Sequence, residues 1–222
     1  YNGDVKVEHF FGAGQVISAG VFYKKFIDPI GQRFYFGTVR ELKPINDSLA
    51  TVYGAEFELR KNLGFIAREV KFLERFTFNT NLALINSNTL LHVADTAIAG
   101  AERQLQGQSD YVVNFGLTYI EPMKGMSFTV LFNQIGRRIS EYGNAQYDDI
   151  YENPRPLLDG QISIPFNKGN GTVKMNFSDM LSKYAIFYQD LDEDGAYDET
   201  IDNTIRKIDS GAKISLSVNY KF

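Results

Sequence analysis

The last eleven residues of the chain, Ala212 to Phe222 (AKISLSVNYKF), alternate without a break. Ala212, Ile214, Leu216, Val218, Tyr220 and Phe222 fall on one side of an extended strand. Lys213, Ser215, Ser217, Asn219 and Lys221 fall on the other. One face is wholly apolar and the other wholly polar. An edge strand of a soluble sandwich shows such alternation too, but here it runs to the final residue and ends on an aromatic, with a second aromatic two before it. That combination predicts a strand with lipid against one face and water against the other.

Composition narrows the solvent. The 222 residues are 44% hydrophobic, enough for a sizeable core. The mean hydropathy is -0.23, and no run approaches the roughly 18 apolar residues that a spanning helix needs. A β-barrel needs no such run, because only alternate residues meet lipid. Eighteen Phe and 13 Tyr suit strands and interfacial girdles. Cysteine is absent, which removes disulfides, thiolate chemistry and thiolate-held metals. A net charge of -4 with no basic cluster argues against nucleic acid as a partner.

Read in order, the chain gives a strand over 4–11, a turn at Gly12-Ala13-Gly14 and a returning strand over 15–26. Periodicity lapses from Ile27 to about Leu49, then Thr51, Tyr53, Ala55, Phe57 and Leu59 alternate with Gly54, Glu56, Glu58 and Arg60. A connection over 61–74, with one or two helical turns expected in its IAREVKFLE segment at 66–74, leads to a strand over 75–86, and a polar loop follows over 87–108. Strands over 111–119 and 126–133 flank a turn at Glu121 to Gly125. A second long connection reaches Pro156, and strands over 158–166 and from 172 flank a turn at Asn167 to Gly171. The latter strand is expected to be interrupted over 176–182 and to continue over 184–189, before an acidic loop and the terminal strand.

This makes about nine strands, with short connections near 12, 67, 122 and 168 and long ones near 38, 97, 147 and 198. Strict alternation of short and long connections is the habit of outer-membrane barrels, whose periplasmic turns are tight and whose external loops are long. Nine is odd, whereas single-chain bacterial barrels have even strand numbers. Tyr1 opens without a basic start or an apolar stretch, so the expectation is a fragment lacking earlier strands. No repeat or linker divides the meander, and residues 1–222 are expected to form part of one barrel domain.

Several stretches together resemble the C-terminal barrel portion of TonB-dependent outer-membrane receptors, of the type abundant in Bacteroidota. They are GVFYKKFIDPI at 20–30, VYGAEFELRKNLGF at 52–65, RQLQGQSDYVVNFGLTY at 103–119, FNQIGRRISEYG at 132–143, NFSDMLSKYAIFYQDLD at 176–192 and SLSVNYKF at 215–222. The resemblance implies an all-β, antiparallel up-and-down transmembrane barrel of about 22 strands, of which this chain holds the last nine or so. It implies a carboxypeptidase-regulatory-like domain, a plug and the first strands outside this stretch, and location in the outer membrane of a Gram-negative bacterium. Energy would come from an inner-membrane complex acting through those absent regions. It also implies that Leu216, Val218, Tyr220 and Phe222 form the signal read by the barrel-insertion machinery, with outer-membrane lipid and a surface lipoprotein as further partners. The function implied is active uptake of a bulky solute. The alternatives are a passive porin- or adhesin-type barrel and a soluble β-sheet binding protein. An apolar face shared by successive strands disfavours the latter.

The sharpest local motif is Asp190-Leu191-Asp192-Glu193-Asp194-Gly195, followed by Asp198. Carboxylates at alternate positions before a glycine resemble the start of a calcium loop. The twelfth position is Ile201 rather than Glu, so the complete EF-hand pattern is absent, and a solvated acidic loop tip is the plainer reading. No cofactor other than this calcium is expected. Arg137 and Arg138 with Glu141 read as loop anchors or as contacts to an anionic solute. Glu56, Glu58 and Arg60 read as a charge ladder on the lumen wall. His9 and His92 have no nucleophile at a recognisable spacing, and the chain does not read as an enzyme.

Overall fold

The computed structural model describes residues 1–36, 40–91, 102–144 and 147–221. In chain order its strands are β1 (Asn2–Gly12), β2 (Gln15–Ile27), β3 (Ile30–Phe36), β4 (Arg40–Asn46), β5 (Leu49–Asn62), β6 (Phe76–Leu90), β7 (Glu102–Arg103) and β8 (Tyr111–Ile120). They continue with β9 (Ser127–Ile135), β10 (Arg138–Glu141), β11 (Ile150–Glu152), β12 (Arg155–Phe166), β13 (Gly171–Ser178), β14 (Ala185–Gln189), β15 (Asn203–Ile208) and β16 (Lys213–Tyr220). Nine of them pair in the order β1-β2-β5-β6-β8-β9-β12-β13-β16, each antiparallel to the next, and β7 adds two residues to β6. The expected meander is therefore present. His92 and Phe222 lie outside the described residues.

Register aligns the apolar positions into one continuous face. Val7, Ala19, Phe57, Leu82 and Val113 are successive cross-strand partners, and so are Phe78, Leu117, Val130, Gly160, Phe177 and Ile214. Leu216 and Val218 meet Met175 and Val173 on the same face. Most of these side chains are half-buried or exposed, Val7 at 70% and Leu216 at 63%, so the face is left largely uncovered by the described residues. Aromatics border it. Phe72, Phe76, Tyr119 and Phe128 form a chain of ring contacts at the short-turn end, with Phe166 against Tyr220 beside them. Tyr23 faces Tyr53 across β2–β5 toward the other end. From Phe76 to Asn86, the partner of Tyr53, ten residues rise about 33 Å along the strand, or about 23 Å at a 45° tilt, close to the ~25 Å apolar band of a membrane barrel.

The opposite face is polar and bonded along register rows. Thr118 meets Thr129 (3.2 Å), Gln161 donates to Asn176 (2.7 Å) and Asn176 to Ser215 (3.2 Å), all in one row. Asn133 donates to Asn114 in another (2.7 Å). Such amide and hydroxyl pairs satisfy polar groups on a wall that faces water. Where the face lacks a side chain, a neighbour covers the gap: the Phe22 ring lies over Gly54, where a Cβ would come within 2.8 Å of it.

Two expectations need correction. The stretch from Ile27 to Leu49 is not aperiodic; it contains the β3–β4 hairpin, a two-stranded sheet of its own. Pro44 concealed it, because proline lowers the strand signal, yet β4 pairs only with β3 and its other edge needs no donor. Residues 184–189 also do not continue the barrel strand. After Ser178 the chain turns through Asp179 and Ser182, both at positive φ, and β14 joins a separate four-stranded sheet ordered β10-β11-β14-β15. Arg155 clamps that turn by bonding Asp179 (2.7 Å) and the Lys183 carbonyl (3.1 Å). The connection over 61–74 forms two 3-10 turns, Lys71–Arg75 largely within the expected 66–74 segment and Leu63–Phe65 ahead of it.

Candidate functional site

The described parts of the long connections lie at one end of the sheet, and there they fold onto one another. Tyr142, 1% exposed, is the hub. Its hydroxyl donates to the Gln104 carbonyl (3.1 Å) and accepts from the Gln106 N–H (2.9 Å), while the Gln106 side chain reaches the Gln32 N–H and the Ser140 carbonyl. Leu91, Ile139 and Tyr151 pack around it. Beneath the β3–β4 hairpin, Arg33 and Asp47 form a buried ion pair beside Gly31 and Tyr142. These hydrogen bonds and packed rings make the loop end an ordered platform on the sheet rather than a set of separate loops.

The platform carries a half-open polar cavity of about 360 Å³ whose walls include Arg103, Arg137, Asp148, Asp149, Tyr151 and Asp190. Its arginines are already paired. Arg103 meets Asp149 (3.2 Å), and Arg137 donates to Asp190 (2.6 Å) while stacking 3.5 Å over the Tyr151 ring. Burial pushes the Asp149 carboxyl above its usual range despite Arg103 and the Gly143 N–H that donates to it. Tyr188, fully buried beside Tyr151, is pushed up to about 12, also by burial, so it stays a neutral phenol.

Arg138 donates to Glu152, its register partner on β11 (2.8 Å), and Glu141 stands opposite Ile150. Both arginines thus spend their charge on carboxylates of the chain, the geometry of loop anchors. On the polar face of the barrel sheet, Glu58 lies 3.6 Å from Lys6, which also meets Glu8 (2.8 Å). Glu56 sits opposite Gly20, and Arg60 between Val16 and Asn79. His9 sits on the apolar face opposite Ile17, with its ring edge-on to Phe11. Leu216, Val218 and Tyr220 line the apolar side of β16, an edge strand exposed along its whole length.

Of the acidic motif, Asp190, Asp192 and Asp194 come together, each placing an oxygen within 4.8 Å of the others. Asp198 is not in that group; its Oδ1 accepts from the N–H and hydroxyl of Thr200 (2.8 and 2.6 Å), which hold its carboxyl below the usual range. Asp202, which carried no signal in the sequence, is 8% exposed and closes the loop by accepting from the Leu191 and Asp198 N–H groups (3.1 and 2.7 Å). Only its position, just beyond the isoleucine that fails the calcium pattern, could have pointed to it.

No protein-family model matches the sequence, and neither does any curated protein. Solved structures do match. The copper transporter OprC aligns with a TM-score of 0.65 at 15% identity, over 99% of this chain and 30% of that one. The fold is that of a section of an outer-membrane β-barrel. The FrpB iron transporter from Neisseria meningitidis, in its apoprotein form, aligns with a TM-score of 0.62 at 12% identity, covering all of this chain and 31% of that one. A ferric enterobactin receptor (PfeA) mutant from Pseudomonas aeruginosa aligns with a TM-score of 0.62 at 15% identity, with the same coverage. The chain spans about 30% of the length of the structures it matches. Its nine-stranded sheet is a section of barrel wall, with the apolar face toward lipid and the polar face toward the lumen.

Proposed function

We propose that this chain supplies wall and external loops to a TonB-dependent receptor that takes up a bulky solute across the outer membrane of a Gram-negative bacterium. The observation that carries the reading is the joining of two structures in one chain: a sheet with a register-continuous lipid face, and an ordered platform built from its long connections at one end. Passive wall needs only the first. A folded platform with a polar cavity, on a wall whose lumen face is lined with amides and hydroxyls, suits capture followed by passage inward. The likeness to transporters of copper and iron and to a ferric enterobactin receptor supports transport as the class. Strands from elsewhere in the receptor would pair with the open edges of β1 and β16, a plug would fill the lumen, and energy would arrive through that plug.

The test is uptake by cells carrying the full-length receptor. Accumulation of its solute that stops when the proton gradient is dissipated supports the reading. Flux that continues without energy and scales with pore conductance assigns the chain to a passive barrel instead.

A further inference from the structure

We propose that Asp190, Asp192 and Asp194 hold a divalent cation, calcium by their chemistry, at the head of the β14–β15 connection. Three observations converge. The carboxylates each offer an oxygen within 4.8 Å of the other two, which puts all three at most about 2.8 Å from a common centre, a few tenths of an ångström beyond calcium's oxygen distances of about 2.3–2.6 Å. Asp190 is 7% exposed; its Oδ2 accepts from Arg137 and the Gly195 N–H, but its buried Oδ1 has no hydrogen-bond donor among the described residues. A buried carboxylate oxygen without a donor is costly, and a cation supplies what is missing. Finally, three carboxylates against the one guanidinium of Arg137 leave a net charge of -2, which a divalent ion neutralises and a monovalent ion does not.

The chain is shaped to keep the cluster together. Gly195 takes φ +83, a left-handed turn that brings its N–H back to Asp190, and the Ala196 N–H is held by Asp194 (2.7 Å). Asp202 ties the far side of the loop together by accepting from the Leu191 and Asp198 N–H groups. Asp190 and Glu193 also line the cavity, so an ion here fixes one of its walls.

Calorimetric titration of the full-length receptor, purified in detergent and stripped with chelator, tests this with CaCl2 as the probe. The expected result is a site with a Kd between about 10⁻⁵ and 10⁻³ M, in the range of extracellular calcium modules and weak sensors. Asp192→Asn with Asp194→Asn should weaken it at least tenfold, while Glu199→Gln, at an exposed position outside the cluster, leaves it unchanged. Asparagine keeps the acceptor that holds the Ala196 N–H, so the loop retains its fold; Asp192→Asn alone is the milder second variant, expected to weaken the site in the same direction. Calcium should also slow amide exchange across 190–198 in the unaltered protein and not in the double variant. No uptake of calcium up to about 10 mM, well above the weakest extracellular sites, would overturn the proposal. Binding that survives both variants undiminished, with no slowing of exchange over 190–198, would overturn it equally.

Discussion

Tyr142 joins three segments that are distant in sequence, through its hydroxyl to Gln104 and Gln106 and through its N–H to the Gln32 carbonyl. Removing the hydroxyl leaves the Gln106 N–H without its acceptor, at a cost of about 1–3 kcal/mol. Tyr142→Phe should therefore speed amide exchange around 104–106 by at least about tenfold, with barrel-strand protection unchanged; equal protection would show the hub to be dispensable. The buried Arg33–Asp47 pair gives a sharper contrast. Arg33→Met leaves a buried carboxylate and should cost about 3–5 kcal/mol of platform stability, whereas Arg33→Met with Asp47→Leu should recover most of it. Proteolytic susceptibility of the β3–β4 hairpin reads both. For Asp192, whose carboxyl is raised in the folded loop, the bound proton stabilises the loop fully below the unfolded value, and that contribution is lost as pH rises through the folded one. In chelator, exchange across 190–198 should accelerate beyond its intrinsic pH dependence as pH rises above the ordinary carboxylate value of about 4. Calcium should abolish the excess; no excess in chelator would contradict the shift.

At the scale of the strand, the face decides the outcome of a substitution. Leu82 lies mid-strand on the lipid face of β6, and Asn81 beside it on the lumen face. Leu82→Lys should destabilise the barrel by about 2–4 kcal/mol, and Asn81→Lys by far less, read as the heat-modifiable folded fraction in detergent. Equal effects would mean the faces are misassigned. In the terminal strand, Phe222→Ser should lower the amount of assembled barrel more than solute affinity, and normal outer-membrane levels would contradict that. The barrel strands were legible because each carries a run of period two long enough to fix its face; Thr51 to Arg60 and Ala212 to Phe222 needed nothing else. The strands of the loops were not, because they are short, one contains a proline, and β10, β11, β14 and β15 have only three to six residues each. Of the acidic motif, alternate spacing correctly grouped Asp190, Asp192 and Asp194, while Asp198 looked equivalent and is spent on Thr200. The pairs Arg33–Asp47 and Arg137–Asp190 span 14 and 53 residues, and nothing local marks either partner.

For the whole molecule, the account rests on a lipid face and a lumen face that alternate residue by residue across nine strands. The chain contains no cysteine, so single nitroxide labels can be placed anywhere in it, once any cysteines elsewhere in the full-length protein are replaced. The most direct measurement is collision accessibility along β8 in a reconstituted bilayer, with labels at Val113, Asn114, Phe115, Leu117 and Thr118. Labels at Val113, Phe115 and Leu117 should be reached by oxygen dissolved in lipid, and those at Asn114 and Thr118 by a water-soluble relaxant. The same accessibility at all five positions, or the reverse assignment, would contradict the barrel wall and with it the transport reading.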